Sequence, residues 1–277
     1  MSNNEQHVEL VKVTPDLAHE WLGWNTHNRK LRERIVTGYA TDMLNGDWHW
    51  NGESIKFASD GTLLDGQHRL AAVVAADMTV SMLVVRGLPS HVQDTVDGGV
   101  RRKFNDVLQL RGEKNSVLLA AITRRVTIWE AGYRRSSGMW APTNAQLMQT
   151  LDKYPDLREI ATYAHYISNA CALPGSIAGL GIWIFTRIDT DDRDQLNSDV
   201  NFFFERLRDG QNIAKGDPIY ELRRTIDNSR SVRGARSDAY LTAIMVKAWN
   251  AYRAGERISV LRYRPGGSNP EQFPEPK

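Results

Sequence analysis

Thr62-Leu63-Leu64-Asp65-Gly66-Gln67-His68-Arg69-Leu70-Ala71-Ala72-Val73-Val74-Ala75-Ala76 is the stretch on which the fold is read. Its apolar opening suits a short strand, and its Ala-rich end suits a compact helix. Between them, Gly66 lets the chain turn sharply and lets a ligand approach the backbone. N–H groups at a helix start lack internal partners, and the helix dipole makes that end positive. Arg69, in the first turn, has a guanidinium able to grip phosphate oxygens at two points. His68 has a ring nitrogen for donation, orientation or proton transfer. Together these parts make an anion seat. The same parts also suit a turn that binds nothing, with Asp65 as a plain helix cap and His68 as a structural histidine. Gly-Lys-Ser/Thr is missing, so this is no Walker A loop.

Working outward, Val8 to Val13 alternates as a strand does. Thr14-Pro15-Asp16 opens a helix, with Thr14 as cap and Pro15 at the first helical position. Leu17, Ala18, Trp21 and Leu22 share one face of that helix, which stops near Gly23. A second helix is expected over 31–44, ended by Gly46. Ser54 to Ala58 and Thr62 to Leu64, joined by Asp60-Gly61, read as a hairpin. Thr79 to Val85 reads as a buried strand. From Phe104 the pattern becomes helical, with helices expected over 104–110, 116–131, 143–153, 156–170, 175–187, 193–208, 217–227 and 236–254. Ile258 to Tyr263 reads as a last strand. The fold class expected is α+β: a disordered tail at 1–8, a small α/β domain over 9–112, an all-α domain over 113–264 and an extended tail over 265–277.

Asp-Gly-Gln-His-Arg-Leu-Ala-Ala at 65–72 resembles the phosphate-binding motif of the ParB/sulfiredoxin superfamily. ParB partition proteins carry Gly-Glu-Arg-Arg ahead of an Ala-rich helix, sulfiredoxins Gly-Cys-His-Arg, and a free-serine kinase of that fold Asp-Gly-His-His-Arg. Proteins linked to DNA phosphorothioation carry the same five letters as this chain. The order of parts agrees too: Asn28-Arg29, a helix with Tyr39-Ala40 and Gly46, a strand at Ile55-Lys56-Phe57, the motif, and a strand at Val80 to Arg86. The resemblance spans roughly residues 10–112. It implies a nucleotide-binding domain taking ATP or CTP with Mg²⁺, in which Gly66, Gln67, His68 and Arg69 contact the phosphates and Asn28 and Arg29 approach the same ligand. Glu53 and Asp65 are the acids able to hold Mg²⁺ or act as a base, with His68 a third catalytic candidate. Glu53 is equally readable as a solvated turn residue. Gln67 stands where sulfiredoxin has its reactive cysteine, which excludes sulfinic-acid repair by that route. His68 replaces the first arginine of the ParB motif, and no ParB-type helix-turn-helix follows directly.

The resemblance implies phosphoryl transfer or nucleotide hydrolysis in a DNA-related process. The alternative is a non-enzymatic DNA-binding or regulatory module of a phage or mobile element. A ParB-like nuclease is a third reading, weakened by the lack of a His-Asn-His arrangement or a clear carboxylate cluster. Asp97-Gly98-Gly99-Val100-Arg101-Arg102-Lys103 is a candidate second anion site through Asp97, Arg101 and Arg102, or else a charged linker. Arg223, Arg224, Arg230, Arg233 and Arg236 are candidates for DNA phosphates, unless they pair with Asp217, Glu221 and Asp227.

Apolar residues make up 41% and charged residues 25% of the 277, ordinary for a folded chain. Net charge is +2, too mild to establish a polyanion partner. Residues 1–112 hold 12 Lys/Arg against 14 Asp/Glu, and 113–277 hold 23 against 19. Cys171 is the one cysteine, expected buried, so no internal disulfide forms. The polar start and the short apolar run Ile177 to Ile184 predict neither signal peptide nor membrane span, and a cytoplasmic location. Most aromatic residues in the helical half are expected in its core. Trp48 and Trp50 are expected beneath the hairpin or lining a pocket.

Overall fold

The computed structural model describes residues 6–25, 28, 30–95, 102–134, 141–229 and 237–277. These form one four-stranded mixed sheet and eleven α-helices, an α+β protein. The chain divides into two compact units, Met1–Arg102 with Gly138–Gln146, and Lys103–Ser137 with Leu147–Lys277.

In the first unit the order is β1 (His7–Val13), α1 (Pro15–Gly23), α2 (Glu33–Leu44), β2 (Ser54–Ala58), β3 (Leu63–Asp65), α3 (Gln67–Ala76) and β4 (Val80–Leu88), then a 3₁₀ segment, Ser90–Thr95. The sheet order is β1-β4-β2-β3. β1 and β4 pair antiparallel, β2 and β4 parallel, and β2 and β3 form the expected antiparallel hairpin. Alternation sends Val13, Ile55, Phe57, Met82 and Val84 to a core shared with Trp21, Met43, Leu70 and Val73 of the helices. Val8 and Leu10, of opposite parity on β1, stay exposed.

Thr14 caps α1 as its sequence demands, accepting from the Leu17 amide at 3.2 Å, with Pro15 in the first turn. α2 starts at Glu33 rather than near Leu31, because Arg32 is extended; its N–H bonds His68. Trp48 packs edge-on against Tyr39 at 5.4 Å, whereas Trp50 is 69% exposed and lies under nothing.

The remaining helices are α4 (Phe104–Leu110), α5 (Ser116–Glu130), α6 (Asn144–Lys153), α7 (Leu157–Ser168), α8 (Gly175–Phe185), α9 (Arg193–Asp209), α10 (Pro218–Asn228) and α11 (Asp238–Arg253). Phe104 and Leu108 sit in the helical core, so α4 counts with the second unit. α8 is apolar all round and buried from Ile177 to Phe185, which makes it the central helix of that core. Phe185 stacks on Trp249 at 4.4 Å, beside Phe203 and Phe204. Cys171 is only partly buried.

Ile258 to Tyr263 is not a strand. Leu261 and Tyr263 are buried in the helical core, and the Ile258 amide bonds the Gly216 carbonyl, but the segment joins no ladder. Alternation produced the apolar anchors; a strand also needs a partner edge. Residues 265–277 carry neither helix nor strand and are held on the second unit. Phe273 packs on the core, Lys247 pairs with Glu271 at 2.5 Å, and Trp249 Nε1 donates to the Lys277 carbonyl. Among the described residues, no helix is long and apolar enough to cross a membrane.

Candidate functional site

Gly66 joins β3 to α3 with φ +105°, a conformation that only glycine adopts without strain. From that turn the motif splits into an inner and an outer set of side chains.

The outer set is ionic. Lys56 and Asp65 are paired in the β2/β3 register and therefore share a face. Their Nζ and Oδ2 are 2.8 Å apart. Arg69 lies one helical turn beyond Asp65, and its Nη2 donates to the same Oδ2 at 3.1 Å. The Gly66 amide donates to Asp65 Oδ1 at 2.7 Å. One carboxylate thus collects a lysine, an arginine and a backbone amide. Arg69 Nη1 also reaches Glu53 Oε2 at 3.4 Å. The Arg69 and Asp65 side chains are only 12% and 13% exposed, while Glu53 is 65% exposed at the rim. Burial works against ionisation of Asp65, yet the Lys56 hydrogen bond, the charges of Arg69 and Lys56 and the Gly66 amide outweigh it. Its carboxyl is held below the usual aspartate value.

The inner set is a clamp. Gln67 is buried, and its Oε1 accepts from Asn25 Nδ2 at 2.9 Å. Asn25 Oδ1 accepts in turn from Asn28 Nδ2, which also donates to the Leu63 carbonyl at 2.6 Å. His68, nine-tenths buried, accepts the Arg32 backbone N–H on Nε2 at 3.0 Å. Gln67, His68 and Asn28 therefore tie the chain between α1 and α2 to β3 and α3.

The chain matches no protein-family model, no curated protein and no solved structure.

The structure brings Asp65, Gly66, Arg69 and Glu53 together and adds Lys56, which sequence reasoning missed. Its signal was present: on the hairpin, the middle residue of Ile55-Lys56-Phe57 faces the residue ending β3. Asn25 and the Arg32 amide were also missed, and neither has a signal at the level of residue type. Arg29 lies outside the described residues, as do Asp97 and Arg101 of the second anion site. Arg102 is exposed, and its carbonyl accepts from Asn144 Nδ2 at 3.3 Å. Arg230, Arg233 and Arg236 also lie outside them. Arg223 caps the end of α9, donating to the carbonyls of Leu207 and Arg208. Arg224 pairs with buried Glu221 at 2.5 Å and bonds the Ser259 carbonyl.

Among the described residues, no group of three or more His, Cys, Asp or Glu side chains has metal-holding geometry. Both oxygens of Asp65 are engaged with donors, which leaves Glu53 as the accessible carboxylate. That set fits Mg²⁺ only as an ion carried by ligand phosphates, the way Mg²⁺ is usually held.

Proposed function

We propose that the first unit binds a nucleotide by its phosphates at the Asp65–Arg69 turn. The observation that carries this reading is the convergence of Lys56 Nζ, Arg69 Nη2 and the Gly66 N–H on one anionic group, the Asp65 carboxylate, at the start of α3. Two cations and a backbone amide at a helix N-terminus are the donors that take a phosphate group. ATP or CTP is the ligand class favoured by the motif's resemblance. Lys56 and Arg69 bind and orient the phosphates. Gly66 offers them its N–H. Glu53 would hold a phosphate-borne Mg²⁺, which supplies charge neutralisation for phosphoryl transfer or hydrolysis. In this reading His68 is a positioning residue, since its Nε2 carries the Arg32 amide. Arg223 and Arg224 are committed to internal partners, so contact with DNA finds no support from them.

Thermal-shift titration of the full chain with ATP, CTP and GTP, with and without Mg²⁺, tests the reading. At 100 times the dissociation constant, binding adds about 2.7 kcal/mol of stability. A rise in Tm with at least one nucleotide is expected, lost in Arg69→Ala. No shift with any of them at millimolar concentration, in wild type and in Asp65→Asn alike, overturns it.

A further inference from the structure

The carboxylate of Asp65 stands where the proposed phosphate would. Its Oδ2 takes Lys56 Nζ at 2.8 Å and Arg69 Nη2 at 3.1 Å, and its Oδ1 takes the Gly66 amide at 2.7 Å. A phosphate oxygen seated on those three donors would overlap it, since both anions need the same directions. We infer that Asp65 is an internal competitor of the ligand, an autoinhibitory anion that must leave Lys56 and Arg69 before a polyphosphate can occupy them. This rests on the nucleotide reading and deepens it.

Three features fit a displaceable anion better than a fixed strut. Asp65 follows two buried leucines at the very end of β3, against the turn at Gly66, so a change of its side-chain rotamer would break no ladder hydrogen bond. Arg69 already has a second acceptor in Glu53, at the longer distance of 3.4 Å, and stays neutralised when Asp65 departs. A polyphosphate carries several charges and replaces a monoanion on two cations, so exchange favours the ligand with more negative charge. The seat therefore discriminates: inorganic monoanions lose to Asp65, and di- and triphosphates displace it.

Isothermal titration of the full chain with inorganic pyrophosphate and tripolyphosphate at fixed ionic strength tests this. Asp65→Asn keeps the shape and removes the competing charge. It should bind both probes about tenfold more tightly than wild type, the scale of one charge-assisted hydrogen bond. Glu20→Gln, an equal charge change on the exposed face of α1, should leave both affinities unaltered. Asp65→Ser, whose hydroxyl still accepts from the Gly66 amide, takes the place of the asparagine variant if that one does not fold. If wild type binds nucleotide but the Asp65 variants bind polyphosphate no more tightly, the inference is overturned and the nucleotide reading stands. If neither wild type nor variant binds polyphosphate or nucleotide, both are overturned. Silent wild type with a binding variant supports occlusion by Asp65.

Discussion

At Gly66 the backbone sits at φ +105°, and a Cβ there would lie 2.4 Å from Ile55 Cδ1 and 3.3 Å from Ile55 Cα. The first contact is with the mobile end of a side chain; the second is with backbone of the central strand β2, which cannot yield cheaply. Gly66→Ala therefore meets conformational strain and overpacking together, and should lower stability by roughly 3 kcal/mol. Ile55→Val removes the Cδ1 atom and so relieves one of the two contacts. The double variant should recover part of the loss, seen as a negative coupling in urea denaturation of the four-member cycle. Strict additivity would mean that the two residues do not collide and that the strain lies in φ alone. The need for glycine was legible in the sequence, since a strand running directly into a helix demands an abrupt turn. Its second reason, the closeness of Ile55, depends on the β2/β3 register and was not.

Element by element, periodicity and caps were readable wherever a segment's own chemistry decides its form. Thr14-Pro15 places the start of α1, and α4 spans Phe104–Leu110 as its pattern says. Failures came where a distant partner decides. α2 begins at Glu33, after an extended Arg32 whose amide bonds His68, 36 residues away. Ile258 to Tyr263 alternates like a strand but has helices for neighbours. The five letters of the motif read as one set aimed at a ligand, whereas only the side chains of Asp65 and Arg69 meet Lys56 on one face, joined by the amide of buried Gly66. Gln67 and His68 clamp the chain between α1 and α2, a job that residue type alone does not distinguish from ligand contact. The clamp has a measurable consequence. In His68→Ala the Arg32 N–H loses its acceptor, and an orphaned amide costs about 1–3 kcal/mol when water cannot reach it. Hydrogen exchange at Arg32 should then quicken by tenfold or more, while amides inside α3 keep their protection. His68→Gln, with a carbonyl oxygen to offer, should restore part of it. Unchanged exchange at Arg32 in His68→Ala would remove the clamp.

Over the whole molecule, charge pairing sets where stability fails with pH. Asp65, Glu113 and Glu271 all titrate below the ordinary carboxylate range when folded. At Asp65 burial opposes ionisation, but Lys56, Arg69 and the Gly66 amide prevail. At Glu113 the Arg158 hydrogen bond leads. At Glu271 burial again opposes, and Lys247 with the Arg264 amide prevails. A carboxylate with a depressed folded pKa lets the unfolded chain take up protons first. Its contribution is complete above the unfolded value of about 4 and fades as pH falls through the folded one. Tyrosines give the opposite limb. Burial raises Tyr163 and pushes Tyr252 up to about 12, with Glu205 and Asp199 adding to the effect. The unfolded chain loses those protons near pH 10, so their contribution holds below that and is lost as pH rises toward the folded values. The urea midpoint of the full chain should therefore stay level from about pH 7 to 9 and fall on both sides. Asp65→Asn has no carboxylate to protonate at that seat. It should begin lower by on the order of 1 kcal/mol at neutral pH and lose less on acidification, so the two curves converge below pH 4. Parallel acid limbs for wild type and Asp65→Asn would show that the Lys56–Asp65–Arg69 cluster contributes nothing to the folded chain.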